Sequence, residues 1–320
     1  MSKVTRTFAA AALAIAGSVM AATCAGPSSP AAPSPAETPT VETFLPSTPT
    51  RPPPPAVTVV LVGAGDIGEC AGEPPEITAA EATARLLDGM EGTVFTAGDN
   101  VYQVGSAEEF QTCYEPTWGR HKARTRPSPG NHDYNTPGAV PYYAYFGANA
   151  GPSGRGYYSY TYGAWKILSL NSNVAMGAGS PQGAWIQAEL AADRSTCTLA
   201  YWHHPIVNSS FSSVRQSAVD VWRILYEFDV DVVIGGHYHN YERFAPMDPY
   251  LRPDPVRGIR QFIVGTGGAR PHTFNAVAPN SEARVSAFGV IRLTLQPASY
   301  EWQFVSTTGG VLDSGNSACH

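Results

Sequence analysis

Five short blocks, far apart in the chain, carry the side chains able to do chemistry. "GAGDIG" sets Asp66 among glycines, and "AGDNVY" sets Asp99 three residues before Tyr102. "PGNHDY" supplies Asn131, His132 and Asp133, "YWHHP" supplies His203 and His204, and "GGHYHNYER" supplies His237 and His239. Aspartate oxygens mixed with imidazole nitrogens form a ligand set for zinc, iron or manganese rather than calcium. One histidine at a strand end is more often a packing residue. A His-x-His straight after Gly-Gly, together with Asn-His-Asp after Pro-Gly, is a pattern that chance rarely makes.

The elements that must position these residues show in the hydrophobic pattern. "VTVVLVGAG", "GTVFTAGD", "AWKILSLNSN", "CTLAYWHHP" and "VDVVIGGH" are short, β-branched apolar runs that predict buried strands. Residues 76–90, 182–193 and 217–229 predict helices, the first opened by a capping box of Thr78 and Glu81. The tail segments "GIRQFIVGTGGARP", "FGVIRLTLQP" and "SYEWQFVS" predict strands with no helix between them. The fold class is therefore α/β, finishing in a β meander. Asp66, Asp99, His203 and His237 each fall at, or just past, the C-terminal end of a predicted strand, the edge where open α/β sheets gather ligands.

Gly63, Gly65 and Gly68 also spell a literal G-x-G-x-x-G. A dinucleotide site needs the third glycine to open a helix and an acid about twenty residues on. Here Pro74 and Pro75 delay the helix, and the next strand-end acid, Asp99, lies too far along. The glycines serve Asp66 better, because nothing bulky then shields its carboxylate.

The chain has 320 residues, and its first 56 differ in kind from the rest. Residues 1–25 join Lys3 and Arg6 to a short apolar run and small residues, the layout of an export signal. Cys24 resembles the lipid-modified cysteine of bacterial lipoproteins, which would tether the chain to a membrane; cleavage after Ala21 is the competing reading. Residues 26–56 are rich in Pro, Ser, Thr and Ala and predict a semi-rigid spacer. Residues 57–320 are left as the catalytic domain, in a protein expected to be secreted or held at the cell surface. With a net charge of −6 and 14% charged residues, no basic patch arises, so nucleic acid is not expected as a partner. Behind an export signal, Cys70, Cys113, Cys197 and Cys319 predict two disulfides. Three pairings are open; Cys70–Cys113 with Cys197–Cys319 is favoured because the second bond would pin the tail to a core strand.

Taken in order, D-x-G (Asp66 to Gly68), G-D-x-x-Y (Gly98 to Tyr102), G-N-H-D (Gly130 to Asp133), His203 and G-H-x-H (Gly236 to His239) resemble the calcineurin-like metallophosphoesterases. Tyr102 and the "HNYER" continuation at 239–243 are similar to the purple acid phosphatase type. The resemblance implies a four-layer sandwich, two β-sheets face to face with helices outside. It also implies a two-metal site: Asp66, Tyr102 and His239 on one metal, Asn131, His203 and His237 on the other, Asp99 between them. The pair implied is Fe(3+) with divalent iron, zinc or manganese. The activity implied is hydrolysis of phosphate monoesters by a metal-bound hydroxide at acid to neutral pH. Phosphodiester cleavage on the same scaffold, or non-catalytic surface binding, are the alternatives. Either His132 or His204 would contact the phosphate and protonate the leaving alcohol, and Asp133 would fix the tautomer of His132. In "HNYER", Tyr241, Glu242 and Arg243 read more readily as buttresses than as substrate contacts. A serine hydrolase is disfavoured, since no G-x-S-x-G occurs.

Overall fold

The apolar runs become the parallel strands of two mixed sheets in a computed structural model that describes residues 57–211 and 214–320. The expected export signal, Cys24 and the expected Pro-rich spacer lie outside the described residues. In chain order the strands are β1 (Val59–Ala64), β2 (Thr93–Ala97), β3 (Thr125–Ser128), β4 (Tyr158–Tyr162), β5 (Trp165–Ser169), β6 (Cys197–Tyr201), β7 (Val232–Gly235), β8 (Tyr241–Phe244), β9 (Arg260–Val264), β10 (Ser281–Val285), β11 (Gly289–Gln296), β12 (Ser299–Ser306) and β13 (Val311–Ala318). The first sheet runs β13-β12-β11-β1-β2-β3 and the second β10-β8-β9-β7-β6-β5-β4. β1, β2 and β3 are mutually parallel, as are β5, β6, β7 and β9, so both sheets carry a block of parallel strands.

Period-two alternation splits the core. Leu199, Tyr201, Val232, Ile234, Phe262 and Val264 share one apolar cluster with Val62, Phe95 and Ile291 of the first sheet, filling the space between the sheets. The intervening Ala200, Val233 and Ile263 face the other way. There they meet helices α4 (Pro181–Ala192) and α5 (Gln216–Glu227) through Ile186, Leu190, Val221, Trp222 and Leu225. Strands buried on both faces read as continuous apolar runs, which is why these were visible in the sequence. Helix α1 (Ala79–Asp88) buries Ala80, Ala84 and Leu87 toward the first sheet. Two short helices, α2 (Ala107–Glu109) and α3 (Val140–Phe146), lie in the long β2–β3 and β3–β4 connections.

Two expectations need correction. The tail is not one meander: β11, β12 and β13 form a hairpin array against β1, while β9 joins the other sheet in parallel with β7. Thr78 does accept from the backbone N–H of Glu81 at 3.2 Å, but the Glu81 carboxylate turns to Arg85 and Arg120 instead of closing the box. The complete capping box belongs to Ser106 and Glu109 at α2. The favoured cysteine pairing is present: Cys70 is bonded to Cys113 and Cys197 to Cys319.

Candidate metal centre

Five strands of the two parallel blocks point their C-terminal ends at one edge. β1 leads to Asp66, β2 to Asp99, β3 to Asn131, β6 to His203 and β7 to His237, so the five sequence blocks meet there. The glycine-rich loop after β1 lies alongside the loop after β2. Asp66 N donates to Gly98 O, Ile67 N to Asp99 O and Gly68 N to Asn100 O, and Gly65 N is taken by Val264 O. No row of free N–H groups is left to cradle a pyrophosphate, which disposes of the dinucleotide fingerprint. The close approach explains the glycines. A Cβ on Gly98, whose φ is +78°, would sit 2.6 Å from His203, and one on Gly130 would strike the Asp99 carboxylate.

Asp66, Asp99 and His237 themselves hold positive φ values of 60°, 49° and 69°. Such conformations cost on the order of 1 kcal/mol each and collect where function over-determines the backbone.

Two groups of lone pairs result. In the first, the Tyr102 hydroxyl lies 2.8 Å from Asp66 Oδ1, 3.1 Å from Asp99 Oδ2 and 3.2 Å from His239 Nε2. His239 Nδ1 lies 2.8 Å from the Arg270 carbonyl, to which only an N–H can bond, so Nε2 is left with its lone pair. One phenolic proton thus faces three acceptors. In the second group, His203 Nδ1 donates to Ala97 O at 2.9 Å. Its Nε2 meets Asn131 Oδ1 at 3.0 Å, Asp99 Oδ2 at 3.1 Å and His237 Nδ1 at 3.2 Å. Asp99 Oδ2 belongs to both groups.

Asp66 and Asp99 are buried, and no lysine or arginine pairs with either among the described residues. Burial pushes the Asp66 carboxyl up, but His203, His239 and His237 more than offset it and hold it at about 2. Burial likewise opposes charge on His203, yet Asp99 and Asp66 hold it at about 9. Burial and the neighbouring His203 charge press His237 down to about 3. Without cations, the first cluster is held by the phenolic proton of Tyr102 and the second by the proton on His203. Oxygen and imidazole donors with surplus lone pairs are what a pair of cations requires, and the residues fit such a pair.

The remaining predicted residues separate. His132 is half-buried, its ring 4.3 Å from that of Tyr102, and its Nδ1 donates to Gln103 O at 2.7 Å. Asp133 does not orient it, contrary to expectation. The Asp133 carboxylate turns back to accept from Gly130 N at 2.8 Å and Asn100 Nδ2 at 2.9 Å, fastening the Asn131 loop to the Asp99 loop. Burial and the charge on Asp99 push it up to about 7. His204 is buried, with Nδ1 on Ser172 Oγ at 2.8 Å and its ring 4.4 Å from that of His237.

Within "HNYER" the buttress reading fits: Tyr241 and Arg243 bind Asp313 at 2.6 and 2.8 Å, and the buried Glu242 accepts from Ser209 N at 2.9 Å. Sequence reasoning missed His272, which stacks on His239 at 4.1 Å and accepts from its backbone N–H at 3.2 Å. The one signal was another glycine-rich strand end, "GTGGARPH" after β9.

Comparison with known proteins agrees with this arrangement. The family described as calcineurin-like phosphoesterase matches residues 60–241. An uncharacterised protein of Mycobacterium tuberculosis is 29% identical over 209 residues, 53% of this chain and 38% of that protein. Purple acid phosphatase 21 of Arabidopsis thaliana is 26% identical over 281 residues, 78% of this chain and 61% of that protein. The chain thus spans less than two thirds of the length of either relative. Among solved structures, a purple acid phosphatase from yellow lupin seeds superposes with a TM-score of 0.68 at 20% identity, covering 82% of this chain and 54% of that one, which is a likeness of fold.

Proposed function

The chain belongs to the calcineurin-like phosphoesterase family, and from that premise we propose that it is an exported phosphatase acting on phosphate monoesters at acid to neutral pH. The observation that carries the reading is the pair of lone-pair clusters joined through Asp99 Oδ2. Asp66, Tyr102 and His239 would hold one metal, Asn131, His203 and His237 the other, with Asp99 shared. Bound there, Fe(3+) and a divalent iron, zinc or manganese partner would supply Lewis acidity to phosphoryl oxygens and bring the pKa of water toward neutrality.

The chain's own groups do the rest. Ala97 O and Arg270 O hold the Nδ1 protons of His203 and His239, so each Nε2 faces inward and is the atom that would bind a cation once its own proton leaves. As the oxygen of water joins phosphorus, the bond from phosphorus to the alcohol oxygen breaks, and that oxygen needs a proton. With its Nδ1 proton held by Gln103 O, His132 would give that proton from Nε2 as the imidazolium and be restored by the proton the attacking water loses. His204, neutral and tied to Ser172, is a polar contact for the phosphoryl group beside His237. The two disulfides support an oxidising destination.

The test is metal content per chain after purification without chelators, alongside turnover of an aryl phosphate monoester and its diester. Two metals, one of them iron, with monoester preference are expected. Diester preference, or no turnover by chain carrying two metals, overturns the reading.

A further inference from the structure

Two described segments, 206–211 and 214–215, lie side by side next to the metal centre. Val207 bridges Val214, and Arg215 N donates to Ile206 O at 2.8 Å, two residues beyond His204. The first segment ends in Phe211, the one phenylalanine exposed to solvent among the described residues, at 61%. Its ring lies 5.6 Å from Tyr238 and 5.9 Å from His272, edge-on to the latter. Tyr238 in turn packs on His237 at 4.9 Å, and His272 stacks on His239. An apolar ring left in water costs free energy unless something covers it. This one crowns an aromatic rim that runs continuously down to both lone-pair clusters.

The second segment ends in a cation, Arg215. Arg215 is half-buried, and its guanidinium bonds Ser217 Oγ at 3.1 Å; among the described residues no carboxylate pairs with it. Its charge is felt at both His204 and His237. A partly desolvated guanidinium beside a site for phosphate esters suits an anion that arrives with the substrate.

We propose that Phe211 and Arg215 form a specificity clamp: Phe211 covers the face of an aromatic ring carried by the leaving alcohol while Arg215 takes charge on the phosphate it departs from. The preferred esters are then those whose alcohol carries a ring, aryl or nucleobase, over those of aliphatic alcohols. The inference rests on the phosphate-ester reading above, and binding of phosphonates, which are not hydrolysed, separates the two.

Phe211→Ala is expected to weaken binding of phenylphosphonate about tenfold more than that of methylphosphonate, the scale of one ring stacking on an aromatic side chain. Arg215→Met is expected to weaken both about tenfold, with Arg215→Lys in between. Metal content should match the wild type in all three variants, which a merely disrupted fold would not give. Turnover of phenyl phosphate, AMP and glycerol 3-phosphate then distinguishes an aryl from a nucleobase preference. Equal loss for both phosphonates in Phe211→Ala, or no loss in Arg215→Met, overturns the clamp. Phosphonate discrimination in a chain that hydrolyses no ester would sink the phosphatase reading and leave the clamp standing.

Discussion

Strand β6 is five residues long, and its two ends are built on opposite terms. At its start, Cys197 is bonded to Cys319, and Thr198 N donates to Asp231 Oδ2 at 2.8 Å. The other oxygen of Asp231 accepts from His320 N and pairs with His320 Nδ1, both at 2.9 Å. There donors meet acceptors and a covalent bond closes the corner. Just past its other end, His203 Nε2 faces three groups that all present lone pairs, and the neighbouring loops hold positive φ at Asp66, Asp99 and His237. One strand joins a satisfied corner to a frustrated one. The difference teaches where the fold is stabilised and where that stability is used: strain at the site persists because the surrounding elements over-determine it.

The same substitution at each end should divide the two most sharply. Asp99→Asn removes the oxygen charge common to both lone-pair clusters, and turnover is expected to fall by about 10³-fold, with fewer than two metals retained per chain. Asp231→Asn, equally buried, keeps an oxygen able to accept from Thr198 N, so kcat should hold while stability drops by about 1–2 kcal/mol. Steady-state kinetics, metal analysis and denaturant midpoints on both variants check it. If Asp99→Asn keeps full turnover, the shared-carboxylate arrangement is not catalytic.

How much of this contrast was visible in the chain follows from what a linear pattern can encode. Asp66, Asp99, His203 and His237 were legible because each follows an apolar run, and parallel strands put such positions on one edge. Asp133 was misread because adjacency says nothing of direction: its carboxylate turns away from His132 to the N–H groups of Gly130 and Asn100. His272 escaped because it acts through a stacked neighbour far away in sequence, and Phe211 and Arg215 because segments without regular strands carry them. Strand β13, "VLDSGNSA", was missed for another reason. It is an edge strand with alternating exposure, so its sequence carries little apolar signal.

Cutting the covalent bond at the satisfied end sharpens the comparison next. Cys197→Ser with Cys319→Ser frees a loop with a sequence separation of 122 residues, and a loss of about 5 kcal/mol is expected from chain entropy. The bond sits at the opposite end of β6 from His203, so kcat and metal content of the folded fraction should match the wild type at temperatures below the new transition. A large fall in metal content at full folding would mean that the two ends are mechanically coupled and the division drawn here is false.

The smallest effect is the most directional. His320 faces two acids, Asp231 and, through longer-range attraction, Asp229, whose own charge is shared with Arg257 at 2.6 Å. The hydrogen bond and charge of Asp231 outweigh partial burial and raise the His320 pKa above its ordinary value. A histidine whose pKa is higher folded than unfolded contributes stability that is full below about pH 6.5 and is lost as pH rises through the folded value. His320→Ala leaves the backbone bond to Asp231 in place and removes only the imidazole. Because the ring is partly exposed, solvent screening keeps the expected loss below about 1 kcal/mol at pH 5.5. The loss should shrink toward nothing as the pH climbs into the alkaline range, as read from urea midpoints across a pH series. A loss that grew with pH would have the wrong sign for an imidazolium–carboxylate pair, and would show that the satisfied corner is held by packing and the disulfide alone.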